Sequence, residues 1–190
     1  MPLIVNVGSN YKNFNDIIGG TYSGVINDAV IPGQTLLIGY LFYQNTKITG
    51  IDLQNVTTCG INTFGYAKSI TYVNMPNLES VGQFCFDNVN SVTTYNFPKL
   101  KVIPKATFAV NSALKTVNLY GITTIQDAAF ERCLALTNVN IGSSVTSISS
   151  TAFNLCTQTG VTITINRKQD AITGAPWGAT NATINWTGAN

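Results

Sequence analysis

The chain has 190 residues, of which 45% are hydrophobic and only 9% charged, with a formal net charge of +2. It is long enough for one domain with a continuous core. Its charge content lies far below the roughly 25% of an average soluble domain, and it lacks the basic stripe that nucleic-acid binding needs, so no nucleic-acid partner is expected. The polar surface has to come from Asn, Thr, Ser and Gln.

Residues 1–25 come first and carry no periodic pattern. Met1-Pro2-Leu3-Ile4-Val5-Asn6 has neither the basic start nor the apolar stretch of a secretory signal. The expectation is a protein that stays in the cytoplasm or leaves without a signal, as a phage particle does on lysis. Leu3, Val5 and Val7 alternate and predict a strand that covers the first coil. The most apolar run, residues 36–42, is too short to cross a bilayer.

From residue 26 the chain repeats. Phe42, Phe64, Phe86, Phe108 and Phe130 are spaced by 22, and Phe153 comes after a further 23. Ile31, Leu53, Met75, Phe97, Leu119 and Ile141 form a second register. A fixed period of this length marks a solenoid, in which each coil buries its apolar side against its neighbours. One unit runs Ile70, Val73, Met75, Leu78, Val81, Phe86, and the next Val92, Tyr95, Phe97, Leu100, Ile103, Phe108. The Val-x-Met stretch alternates and predicts a short strand with one face inward. Residues 127–133, which carry Phe130, predict one or two helical turns. Strands of successive coils must be parallel, because the chain travels the same circuit each time. The reading is about six coils over 26–165, with Ile26, Ala29, Ile31, Leu37 and Phe42 as an irregular first one.

The four cysteines fall on repeat positions and read as small buried apolar residues. Cys133 and Cys156 occupy one equivalent site in adjacent coils, and free thiols are favoured there over a disulfide. With no histidine and no CxxC pair, neither a metal site nor any other cofactor is expected.

Residues 166–190 leave the repeat. Asn166-Arg167-Lys168-Gln169-Asp170 predicts a loop, Gly174-Ala175-Pro176-Trp177-Gly178 a turn, and Ala182-Thr183-Ile184-Asn185-Trp186 a last strand, with Trp177 and Trp186 as lids. Residues 175–184 resemble the C-terminal ends of repeat proteins encoded by phages of gut bacteria.

Residues 122–156, with Ile125, the Ala129-Phe130 pair, Cys133, Leu136, Val139 and Ile141 recurring at Ile148, Phe153 and Cys156, resemble the BspA-type leucine-rich repeat. The likeness covers about residues 26–165 and is looser upstream, where Cys85 replaces the Ala and Asn111 the Cys. It implies an α/β repeat fold: a curved right-handed solenoid of stacked short parallel strands with helical or irregular turns. It also implies surface adhesion and binding without catalysis.

The sharpest feature outside the core is a column, Asn74, Asn96, Asn118 and Asn140, each between two inward residues of its strand. Asp52 takes the preceding rung and Val30 the one before it, and Tyr72 lies alongside. These side chains point outward and offer neutral donors and acceptors to a glycan or an extended peptide. Stacked Asn residues can equally bond to one another and stabilise the sheet. A Ser-His or Cys-His nucleophile is impossible without histidine. Asp87 and Glu131, two coils apart, stand at a spacing seen between glycosidase carboxylates, and nothing in the sequence suggests a cleft or a raised pKa there. The sequence therefore predicts a non-enzymatic binding module. Its expected setting is a phage virion, as a tail or capsid accessory binding host glycan or protein, in which a homo-oligomer is credible. The alternatives are a protein-interaction scaffold in the bacterial cytoplasm or at the cell surface, or a spacer without a ligand.

Overall fold

The structure is a computed structural model that describes residues 23–28, 31, 33–156, 160–169 and 171–188. The predicted capping strand around Leu3, Val5 and Val7 lies outside the described residues, as do Ala29, Val30 and Asp170. Among the described residues, fourteen strands stack as two walls of a solenoid. The first wall holds β1 (Gly24–Asn27), β3 (Ile48–Asp52), β5 (Tyr72–Asn74), β7 (Thr94–Tyr95), β9 (Thr116–Leu119), β11 (Asn138–Ile141), β13 (Thr162–Ile165) and β14 (Thr183–Trp186). The second holds β2 (Leu36–Leu37), β4 (Thr58–Cys59), β6 (Ser80–Val81), β8 (Val102–Ile103), β10 (Thr124–Ile125) and β12 (Ser147–Ile148). Every pairing is parallel, and most join residues 22 apart, such as Val117 with Val139 and Ile103 with Ile125.

Alternation explains the walls. In β9 Val117 and Leu119 are buried while Thr116 and Asn118 are only half-buried, on the outer side. The third side of each coil carries the phenylalanine. Neighbouring rings from Phe42 to Phe153 lie 5.2, 5.4, 5.6, 5.3 and 5.2 Å apart and within 12° of parallel. Each stacked pair adds about 0.5–1.5 kcal/mol beyond its area burial.

The expected helical turns do not form, so the α/β class is corrected: among the described residues there are strands and turns and no helix. The reason is in the backbone. The residues two before and two after Phe42, Phe64, Phe86, Phe108 and Phe130 sit in the left-handed region, as at Tyr40 and Gln44, Asn62 and Tyr66, Ala106 and Val110, Ala128 and Arg132; at Phe153 only Leu155 does. A right-handed helix cannot pass through either position. The amides it would have used point along the stack instead. Phe42 N donates to Thr63 O, Phe64 N to Cys85 O, Phe86 N to Thr107 O, Phe108 N to Ala129 O and Phe130 N to Ala152 O, at 2.8–2.9 Å. The local strain is of order 1 kcal/mol per residue. It is offset because the phenylalanine turns gain bonds to the next coil on a third side.

The first coil is also corrected. Asn27, rather than Val30, sits across from Asp52, and Ile26 across from Ile51, with an irregular register at Gly24 and Val25. At the other end the stack continues. Both β13 and β14 extend the first wall in register, Trp177 is fully buried, and its carbonyl accepts from Phe153 N at 2.9 Å. Trp186 meets Trp177 edge-on at 6.3 Å, so both tryptophans close the last phenylalanine coil.

Candidate binding face

The predicted column is an unequal ladder. Asn74 Nδ2 donates to Asp52 Oδ1 at 2.7 Å, and Asn140 Nδ2 to Asn118 Oδ1 at 2.8 Å. Asp52 also accepts from Gln54 Nε2 at 2.7 Å. Tyr72 is 43% exposed, and its ring lies over Gly50 on the neighbouring strand: a Cβ there would fall 2.2 Å from the ring. Asn96 stands apart. It is exposed, lies beyond the end of β7, and bonds neither to Asn74 nor to Asn118. The structure thus brings Asp52 and Asn74 together, and Asn118 and Asn140 together, and leaves Asn96 between the two pairs.

The gap has a structural cause. No ladder joins β5 to β7 or β6 to β8, so both walls divide between the same two coils. Three residues at this level, Tyr95, Phe97 and Pro104, depart from the repeat. Pro104 stands where Gly60, Gly82, Gln126 and Ser149 donate their amides to the preceding coil at 2.7–2.9 Å. Pro98 also lacks the amide that Gly142 and Asn166 donate at 3.2 and 2.9 Å, but Pro76 holds the same register one coil earlier while β3 and β5 still pair, so this position does not by itself divide the wall. A proline has no amide hydrogen to give. Tyr95 and Phe97 occupy inward positions held elsewhere by Val117 and Leu119 or Val139 and Ile141. Their rings add bulk against the spine, with Tyr95 4.8 Å from Phe108 and Phe97 5.6 Å from Phe86. Only the phenylalanine side crosses this junction unbroken, through the bonds of Phe84, Phe86 and Asn88.

Tyr95 is anchored. Its buried hydroxyl donates to Asn111 Oδ1 at 2.8 Å, and Asn111 Nδ2 donates to the carbonyls of Phe86 and Ala109. Burial pushes the Tyr95 hydroxyl well above its ordinary pKa, so it stays a neutral donor. On its other side the segment also parts from β9. Pairing ends at Tyr95 with Val117, and beyond it residues 96–98 separate from 118–121. A cavity of about 130 Å³ opens between them, reaching Phe108 and Phe130 at its floor, with Asn96, Pro98, Asn118 and Tyr120 among its lining residues. Tyr120 is 66% exposed. The signal for this site was in the sequence as a local departure from the repeat at 95–98 and at Asn111, but a column of like residues hid it.

Other candidate groups do less. Asp87 is buried, and burial first, then the nearby Glu131 charge, raises its pKa from 3.8 to about 6. This corrects the sequence reading, which saw nothing to perturb that pair. All four cysteines are buried free thiols. Cys133 and Cys156 donate to the carbonyls of Phe108 and Phe130 at 3.1 and 2.9 Å. Burial pushes the Cys59 and Cys133 thiols up, away from the reactive thiolate. Among the described residues no cluster of three or more His, Cys, Asp or Glu could hold a metal, and no helix is long and apolar enough to cross a membrane.

A family model described as "BspA type Leucine rich repeat region" matches residues 37–159 in six copies. A leucine-rich repeat protein of T. pallidum superposes with a TM-score of 0.70 over 84% of this chain and 78% of that one, at 18% identity. The pneumococcal vaccine antigen PcpA superposes with a TM-score of 0.64 over 85% of this chain and 41% of that one, at 13% identity. No curated protein matches the chain significantly. At these identities the structural likeness is one of fold alone.

Proposed function

The chain belongs to the BspA-type leucine-rich repeat family, and from that premise we propose that it is a non-catalytic binding module whose first wall receives a partner protein. The observation that carries this reading is the interrupted amide ladder. Elsewhere on the wall the Asn and Asp side chains bond to one another and serve the sheet. At Asn96 they do not, and the exposed Tyr120 stands beside the gap. Neutral amides with an exposed aromatic suit a protein surface better than an ionic ligand.

The test is a quantitative one. A partner is captured from bacterial surface extract, identified, and titrated against the native protein and against variants. Asn96→Arg and Asn118→Arg should each weaken the complex at least about tenfold, the loss expected when a charge enters a neutral contact. Gln126→Arg on the second wall should change it less than about twofold. Equal affinity of all variants would remove the first wall as the binding face. The particle-borne setting is a further proposal, supported by the neutral Asn- and Thr-rich composition and by the phage-like residues 175–184. Mass spectrometry of purified particles decides it, and absence of the chain would end it.

A further inference from the structure

The cavity beside Asn96 is more selective than a flat wall. Its floor is apolar, made by Phe108, Val117, Leu119, Ile122 and Phe130. Its volume of about 130 Å³ is close to that of an apolar protein cavity, about 150 Å³, that stays dry and accepts benzene. Two amides stand at the mouth. Asn118 gives its oxygen to Asn140, while its Nδ2 makes no bond within the protein comparable to those of Asn74 and Asn140. Asn96 uses neither end of its amide on its column neighbours.

We infer that this cavity is a recognition pocket for an aromatic side chain carried by a partner polypeptide. The ring enters between residues 95–98 and 118–122, and the side-chain amides of Asn96 and Asn118 bond to the peptide groups flanking it. Volume admits one six-membered ring. The floor rejects a sugar, because each hydroxyl stranded there costs about 1–3 kcal/mol. The side-chain amides of Asn96 and Asn118 offer neutral donors and acceptors, which match the N–H and C=O of an extended peptide, and the Lys101 ammonium at the rim by Gly121 can take a peptide carbonyl. The inference rests on the binding-module reading for its biological meaning, but its test does not.

That test is an NMR titration of the full chain with N-acetyl-phenylalanine methylamide, with methyl glucoside and toluene as comparison probes. The phenylalanine probe should shift the amides of residues 95–97 and 118–122 saturably, and the glucoside should not. Gly121→Leu blocks the mouth. A Cβ at Gly121 lies 3.4 Å from both Pro98 O and Lys101 Nζ, so the position accepts a side chain that then fills the entrance. This variant should keep the native spectrum elsewhere and lose binding of both aromatic probes. Asn96→Ala should weaken the phenylalanine probe about five- to tenfold, the effect of one lost hydrogen bond, and leave toluene unchanged. No saturable shift, glucoside binding as tight as the phenylalanine probe, or full affinity in Gly121→Leu would each overturn the pocket. If a captured partner is lost with Asn96→Arg while Gly121→Leu changes neither capture nor probe binding, the pocket fails and the binding wall stands.

Discussion

The Tyr95 hydroxyl donates to Asn111 Oδ1 at 2.8 Å, and both residues are buried. Each departs from the repeat in a way the other repairs. Tyr95 replaces the valine of Val73, Val117 and Val139, and Asn111 replaces the small apolar residue of Ala67, Val89, Cys133 and Cys156. A lone Asn at that depth would strand a carbonyl oxygen, and a lone Tyr would strand a hydroxyl. Together they hold an aromatic against the spine and keep the strand end apart from its neighbours.

The pair should therefore behave as a unit. Tyr95→Phe leaves Asn111 Oδ1 unpartnered and should cost about 1–3 kcal/mol. Asn111→Val should cost a similar amount by stranding the hydroxyl. The double variant Tyr95→Phe with Asn111→Val removes both polar partners together, and its loss should be clearly smaller than the sum of the single losses. A double-mutant cycle in urea checks this, and additive losses would show that the two side chains act independently.

Asp87 makes stability depend on pH in a defined direction. Its folded pKa, about 6, lies above the ordinary 3.8. Below 3.8 both folded and unfolded chains carry the proton, and the group contributes no difference. Between 3.8 and 6 the unfolded chain has lost the proton while the folded one retains it, so rising pH destabilises the fold. Above 6 the penalty is complete. Asp87→Asn should therefore stabilise the protein at about pH 7, by about 1–2 kcal/mol once partial solvation is allowed for. It should also flatten the change in Tm between about pH 4 and pH 6. An unchanged pH profile in the variant would assign the dependence to other groups.

Tyr72 and Gly50 give a conditional prediction. A Cβ at Gly50 would fall 2.2 Å from the Tyr72 ring. Gly50→Ala should cost about 1 kcal/mol or more in the native protein, because the ring must leave its seat. In a Tyr72→Thr background the same change should be neutral or stabilising, since glycine is a poor strand residue. Thermal melts of the four proteins separate these cases, and an equal cost in both backgrounds would show that the ring is not seated on Gly50.

Most of the architecture could be read from spacing. The period, the phenylalanine spine, the inward Val-x-Leu pattern and the outward Asn column all arise from side chains that recur every 22 residues. The turns around Phe130 could not be read in this way. Asp127-Ala-Ala-Phe-Glu-Arg132 has good helix formers, and what overrides them is bonding between coils, from Phe130 N to Ala152 O and from Arg132 N to Asn154 O. The break in the ladder was written at Pro104, but a missing amide matters only once neighbouring coils show which amides join them. The first coil escaped because Asn27 and Asp52 pair across 25 residues rather than 22. The perturbed Asp87 depends on how deeply the turn buries it, which spacing does not encode.

The central claim is that the coils are joined along three sides, with one junction unzipped on two of them. Residue-resolved amide hydrogen exchange tests this most directly. Protection should recur with the repeat at Phe42, Phe64, Phe86, Phe108, Phe130 and Phe153, all of which bond to the next coil. On the walls, exchange should be slow at Thr71, Lys115 and Thr123, which bond between coils at 2.7–3.0 Å, and fast at the equivalent Thr93 and Lys101 of the divided junction. Uniform protection through Thr93 and Lys101, or a continuous protected block over residues 127–133 of the kind a helix gives, would contradict it.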